Sequence, residues 1–159
     1  MAGLGDPGKV HLREITDDNR AAVVALHVAP RQEQFVASVG KSIAEAAQTP
    51  EGNPWYRAIY AGGEPVGFVM LSWAATPTDD IIGPWFLWRL LIDERHQRRG
   101  IGRAAVGLVV DLIRAEGATE LLTSYHIGEG EPWPFYQKLG FRPTGGLDHG
   151  EVILSLDLG

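Results

Sequence analysis

Gln97-Arg98-Arg99-Gly100-Ile101-Gly102 lies between a strongly apolar run, Trp85 to Ile92, and a segment, Gly102 to Glu116, whose Ala105, Val109, Leu112 and Ile113 fall along one helical face. A buried strand that turns through glycines straight into an amphipathic helix leaves the chain few options. The first backbone N–H groups of that helix converge where its dipole is positive. Glycines at 100 and 102 remove side chains that would block close approach of an anion, while Arg95, Arg98, Arg99 and Arg103 gather positive charge around the same turn. The turn is therefore a candidate phosphate cradle, suited to a pyrophosphate with a further phosphate nearby. The plain alternative, a glycine turn with a solvated basic face, stands about even for Gly-x-Gly taken alone.

The rest of the chain supplies a setting for that turn. Val10 to Ile15 alternates apolar and polar as a half-buried strand does, and Thr16 or Asp17 is placed to cap a helix running to about Ala29. A second helix is expected over Gln34 to Ala47, with Phe35, Val39 and Ile43 at helical spacing and a stop at Thr49-Pro50. Trp55 to Tyr60 and Val66 to Trp73, joined by Ala61-Gly62-Gly63-Glu64, read as an antiparallel hairpin, and Ala74 to Pro84 as a loop. After the helix that ends at Gly117 come a strand over Glu120 to Tyr125, a short helix over Trp133 to Leu139 and two closing strands near 141–145 and 151–157. The order is β-α-α-β-β-β-α-β-α-β-β, an α/β chain with a mixed sheet flanked by helices.

Residues 1–159 suit a single domain, with 1–9 expected as a loose N-terminal tail, and 45% hydrophobic content is enough for a sizeable core. No window approaches the run of about 18 apolar residues that a membrane span needs, and the N-terminus lacks the apolar stretch of a signal peptide, so a cytoplasmic location is expected. The absence of cysteine removes disulfides, thiolate nucleophiles and cysteine-held zinc. A net charge of −6 argues against nucleic acid and membrane as partners and favours small cationic molecules. The five histidines show no paired metal-site spacing, so no metal is expected; Gly40-Lys41-Ser42 lacks the earlier glycine of a P-loop, Phe35 standing there.

Residues 97–102, following Leu90-Leu91-Ile92, match position by position the Gln/Arg-x-x-Gly-x-Gly/Ala signature of the GNAT acetyltransferases, and Phe135-Tyr136-Gln137-Lys138-Leu139-Gly140-Phe141 matches the second signature of that superfamily. The chain thus resembles a GNAT N-acetyltransferase over roughly residues 55–157. More narrowly, Trp88 to Glu94, Thr123-Ser124-Tyr125 and Gly150 to Ile153 look like bacterial spermine/spermidine acetyltransferases. The resemblance implies a mostly antiparallel sheet, acetyl-CoA as co-substrate, a small-molecule amine as acceptor and a homodimer. It implies that Leu90, Leu91 and Ile92 pair with the pantetheine arm, that Gln97, Arg98, Arg99, Gly100, Ile101, Gly102 and Arg103 hold the pyrophosphate, that Lys138 reaches a phosphate, and that Tyr136 serves the leaving thiolate.

Two departures from the pattern matter. The position where many members carry a pantetheine-holding Asn is Glu129, and the positions of the usual strand base are Phe86 and Trp88, neither of which takes a proton. An alkyl amine must lose a proton before it attacks, so the base is sought elsewhere, at His126 and Glu151, with Glu129 and Glu131 behind them. Trp73, Phe86, Trp88 and Tyr125 are candidates for an aromatic wall around a cation, with core packing as the competing role. The acids Asp79, Asp80, Glu129, Glu131, Asp148 and Glu151 are free to line the acceptor mouth. Another amine (an aminoglycoside, an amino acid, a protein N-terminus) and a non-catalytic CoA-binding domain are the rival readings.

Overall fold

The computed structural model describes residues 9–159, so the tail expected over 1–9 lies, Lys9 apart, outside the described residues. Seven strands form one sheet in the order β1-β2-β3-β4-β5-β7-β6. They are β1 (Val10–Arg13), β2 (Pro54–Ala61), β3 (Glu64–Ser72), β4 (Phe86–Ile92), β5 (Glu120–Tyr125), β6 (Arg142–Asp148) and β7 (Glu151–Asp157). Every pairing is antiparallel except β4 with β5. Helices α1 (Arg20–Val24) and α2 (Val39–Gln48) cover one face, and α3 (Ile101–Ala115) and α4 (Trp133–Leu139) the other. The expected mixed, mostly antiparallel sheet flanked by helices is thus observed, and the order of strands and helices is the expected one.

Two apolar cores result. Val106, Val109 and Ile113 of α3 pack with Leu87, Leu121 and Leu154 on one face, and Val23, Val39 and Ala46 of α1 and α2 pack with Phe68, Met70 and Leu91 on the other. Full burial of one such side chain contributes about 1.5–3 kcal/mol, which makes these two layers the main source of the sheet's stability.

The two N-terminal helices are shorter than their sequence suggests, for local reasons. Asn19 Oδ1 accepts from Thr16 N–H (2.8 Å) and closes a turn, which delays α1 to Arg20. At its other end the N–H of His27 leaves the helix for Asp93 Oδ2 (3.1 Å), and Pro30 holds Ala29 in an extended conformation, so α1 does not reach residue 29. Helix α2 begins only at Val39 because Ser38 caps it, its Oγ accepting from Lys41 N–H. Phe35 therefore lies outside α2, and its ring stands instead against His126.

One irregularity in β4 decides which way two of its side chains face. Met70 of β3 is opposite Arg89 and Leu71 is opposite Leu87, so Trp88 is an extra residue, a β-bulge. Both Trp88 and Arg89 consequently turn to the α1/α2 face, where Trp88 joins the apolar core and Arg89 forms an ion pair with Glu45 of α2.

Candidate active site

Strands β4 and β5 pair only at Phe86–Leu122 and Leu87–Thr123, and then separate. Beyond Leu87 the β5-facing edge of β4 has no strand beside it, and a cleft of about 1190 Å³ opens there. Side chains close this notch at both ends. Thr123 Oγ1 donates to the Leu87 carbonyl (2.9 Å) at one end, and Gln97 Nε2 donates to the Ile92 carbonyl (3.0 Å) at the other. The Asp93 N–H bonds to Val66 of β3, so the Ile92 carbonyl, trans across the same peptide plane, points away from β3 and toward the notch. A free strand edge between two closed ends is the form of site that an extended amide-bearing chain completes.

At the Gln97 end the notch meets the N-terminus of α3. Its first intrahelical bond runs from Ala104 N–H to the Gly100 carbonyl, so the N–H groups before Ala104 have no partner within the helix. Gly100 is left-handed (φ 77°), and a Cβ placed there would point into open space. Gly102 differs, because a Cβ there would meet the Phe135 ring at 3.1 Å, so its lack of a side chain serves the contact between α3 and α4. Gln97, Arg98, Gly100, Ile101, Gly102 and Arg103 line the cleft, as does Lys138. Arg99 does not; its guanidinium bonds to His96 Nδ1 (3.1 Å). Leu90 and Ile92 line it too, whereas Leu91 faces the opposite core. Arg95 is turned to the buried Asp93, whose Oδ1 accepts from its backbone and side chain. These residues fit a phosphate-bearing cofactor with a long amide arm.

The spacing of the second motif has a structural cause. Gly140 (φ 101°) ends α4 after two turns, and Phe141 N–H returns to the Tyr136 carbonyl in a Schellman-type closure. This folds Phe141 against Tyr136, whose ring makes edge contacts with Phe135 and Phe141 at 5.1 and 5.3 Å. Tyr136 lines the cleft beside Thr123. Burial pushes its hydroxyl up to about 12, and the hydrogen bond of the Thr123 side chain opposes that shift only in part. It stays protonated throughout the physiological range.

The opposite end combines loop residues with residues of β4, β6 and β7. His126 and Glu151 both line it, with Glu151 Oε1 accepting from Ser124 Oγ (3.1 Å). Phe86, Trp88, Glu131 and Asp148 line it as well. Burial, with the charge and hydrogen bond of Glu131, raises the pKa of the Tyr125 hydroxyl, so Glu131 is engaged by that residue. Several expected residues are not brought to the cleft by their side chains. Trp73 packs between Trp55 and Trp85, Tyr125 stacks on Trp133 at 6.2 Å, Asp79 and Asp80 lie on the exposed 74–84 loop, and Glu129 is exposed in the turn before α4. Thr123 stands out in the sequence only as part of Thr123-Ser124-Tyr125, with no role attached, and periodicity places Gln32 and Phe35 near or in helices. Nothing local marks the role of any of the three, because each acquires it from a partner distant in sequence.

Residues 12–141 match the model of the acetyltransferase (GNAT) family. The chain belongs to that family. It is an acyltransferase, and acetyl-CoA is the acyl donor that the family uses. The chain is 29% identical over 152 residues to a spermine/spermidine N(1)-acetyltransferase of Bacillus subtilis (strain 168), covering 94% of this chain and 99% of the relative. Its fold is similar to an aminoglycoside acetyltransferase in complex with coenzyme A (TM-score 0.70, 17% identity, 94% and 95% of the two chains). It is also similar to the PaiA N-acetyltransferase of Thermoplasma acidophilum in complex with coenzyme A (TM-score 0.65, 13% identity, 94% and 99%). Among the described residues no group of three or more acidic or histidine side chains is arranged to hold a metal ion, and no helix is long and apolar enough to cross a membrane.

Proposed function

We propose that this protein acetylates a primary amine of a small, multiply charged acceptor, polyamines first, by direct transfer with both substrates bound together. The observation that carries the reading is the single cleft. Its lining includes the unpaired β4 edge and the α3 N-terminus as well as His126, Glu131, Asp148 and Glu151, together with Tyr136 beside Thr123. Acetyl-CoA, when bound, supplies an activated thioester carbonyl. Gln97, Arg98, Gly100 to Arg103 and Lys138 would hold its phosphates, and the β4 edge from Trp88 to Ile92 would pair with its amide arm.

The acceptor end supplies two things. Carboxylates attract the cation, and Glu151 is oriented by Ser124, so it recognises the charge beyond the reacting nitrogen. His126 lines this end of the cleft with an imidazole that can accept a proton, so in this reading it takes the amine's proton. The amine's N–C bond forms as the C–S bond breaks, and backbone N–H groups of β4 bear the oxyanion. Tyr136 stays protonated across the physiological range, so it serves the leaving thiolate as a hydrogen-bond donor and does not itself become ionised.

The similarity to the Bacillus subtilis relative across nearly the whole chain supports polyamines, and the likeness to an aminoglycoside acetyltransferase keeps a second polycation class in the same screen. Acetyl-CoA with a panel of spermidine, spermine, an aminoglycoside, a singly charged alkylamine and a peptide N-terminus, read by thiol release, tests the acceptor. Polyamines are expected to lead. Efficient acetylation of the peptide with inert polyamines would overturn the acceptor and leave the transferase standing.

A further inference from the structure

Gln32 and Gln97 exchange two hydrogen bonds, Gln32 Nε2 to Gln97 Oε1 at 3.0 Å and Gln97 Nε2 to Gln32 Oε1 at 2.9 Å. A further partner fixes each amide's orientation. Ala29 N–H donates to Gln32 Oε1 (3.0 Å), and Gln97 Nε2 donates to the Ile92 carbonyl. Flipping either amide would therefore set donor against donor or acceptor against acceptor. A second fastener lies close by, where Asp93 accepts from His27 N–H and Glu94 N–H donates to the His27 carbonyl (2.8 Å). Residues 27–32 are thus tied to residues 92–97.

The segments that these two glutamines lead into give the tie its meaning. Glu33 to Ala37 line the acceptor side of the cleft before Ser38 caps α2, and Phe35 in that segment faces His126. Gln97 leads directly into the turn before α3. One amide pair therefore joins the start of the acceptor wall to the start of the cofactor turn, although the two are 65 residues apart in sequence.

We infer that Gln32 is a positioning residue that couples the acceptor wall, residues 33–37, to the cofactor loop, so that CoA in the loop stiffens the wall before the amine arrives. The inference rests on residues 97–103 being the CoA loop. An acceptor that meets a wall already ordered loses less conformational freedom on binding, which makes the two substrates help one another, and the help is reciprocal.

Amide hydrogen exchange with saturating CoA and no acceptor tests this directly. In the wild-type protein CoA should slow exchange in residues 98–103 and, by roughly five- to tenfold, in residues 29–37, as expected when a pair of hydrogen bonds carries the coupling. Gln32→Leu keeps the bulk and removes the amide. It should retain the protection at 98–103 and lose it at 29–37. Gln32→Glu still accepts from Ala29 N–H and Gln97 Nε2 but sets its second oxygen against Gln97 Oε1, so it should restore only part of the transmitted protection, a partial rescue that mere loss of local packing would not show. Unchanged exchange at 29–37 in the wild type, or full protection there in Gln32→Leu, overturns the inference. Absence of protection at 98–103 as well overturns the CoA loop itself, and the inference with it.

Discussion

At the end of the cleft proposed for the cofactor, one continuous stretch of chain, the end of β4 and the turn into α3, brings together free backbone donors, an open left-handed glycine and several cations. At the acceptor end, three separate segments, 33–37, 126–131 and 148–151, contribute side chains from different parts of the chain. The first end works through backbone and helix geometry, which tolerates few sequences; the second works through side chains on loops, which tolerate many. A family can therefore hold its cofactor constant and exchange its acceptor, and substitutions at the two ends should fail in different ways.

The largest effect is expected at Gly100. A valine there must adopt φ 77°, where a β-branched residue is strained, and its side chain would fill the open space beside the N-terminus of α3. Wild-type protein should gain about 2.7 kcal/mol of stability from CoA at a hundred times its dissociation constant, and Gly100→Val should lose that gain while remaining folded. Thermal melts with and without CoA read this. A full CoA shift in Gly100→Val would remove the turn from the cofactor site and erase the contrast between the two ends.

Tyr136 lines the cleft beside Thr123, and a hydroxyl that serves the leaving thiolate should affect rate and neither binding step. Tyr136→Phe should retain the CoA shift and lose roughly 10²-fold in kcat. Thr123→Val removes the side-chain hydrogen bond that Tyr136 meets and the side-chain donor to the Leu87 carbonyl. It should lower kcat by roughly tenfold in the wild-type background and by much less in Tyr136→Phe, which is the mark of two residues acting as one unit. A hydroxyl whose pKa is pushed up to about 12 also sets a pH expectation. No fall in kcat due to Tyr136 ionisation should appear below about pH 11, and a descending limb near 10 that vanishes in Tyr136→Phe would contradict its burial.

The same contrast between local and distant determinants governs which features the sequence makes legible. The order of elements along the chain, the β4-to-α3 turn and the short helix carrying Tyr136 are legible because each is specified locally, by apolar runs, by glycines at fixed offsets and by Pro132 and Gly140 around seven helical residues. The helical pattern overruns α1 because the end of that helix is set by Asp93, far along the chain, and it takes in Phe35 because a helical interval does not reveal that Ser38 caps α2 later. The acceptor end is the least legible. Phe86, Trp88, Glu131, Asp148 and Glu151 reach the cleft while Trp73, Tyr125 and Glu129 do not line it, and composition alone offers no way to tell an aromatic that packs on Trp55 from one that faces the opening.

A smaller effect is expected at Glu151. Glu151→Gln keeps the shape and the contact with Ser124 while removing one charge among several acids. With spermidine, KM should rise by roughly three- to tenfold and the dependence on ionic strength should flatten, with little change for a singly charged amine. Equal losses for both amines would mean that Glu151 serves the reaction and not the second charge.

The last effect concerns Asp93, a buried carboxylate behind the cleft that bonds to both His27 and Arg95. Burial opposes its charge, yet the side-chain hydrogen bond of Arg95, the N–H groups of His27 and Arg95 and the Arg95 charge together outweigh that cost and hold its pKa below the ordinary 3.8. A carboxyl whose pKa is lower folded than unfolded contributes stability that is present above the unfolded value and is lost as pH falls through the folded one. At pH 6 to 7, therefore, Asp93→Asn should melt below wild type, and the gap should narrow steadily once the pH drops below about 4. Because Asp93 also anchors His27, the variant should loosen the acceptor wall more than the cofactor turn, which keeps its own helix N-terminus. Hydrogen exchange at pH 7 distinguishes the two. Faster exchange around residues 27–32 with unchanged exchange in 100–103 is the expected pattern, and uniform loosening of both would show that the cofactor turn depends on this carboxylate as much as the wall does.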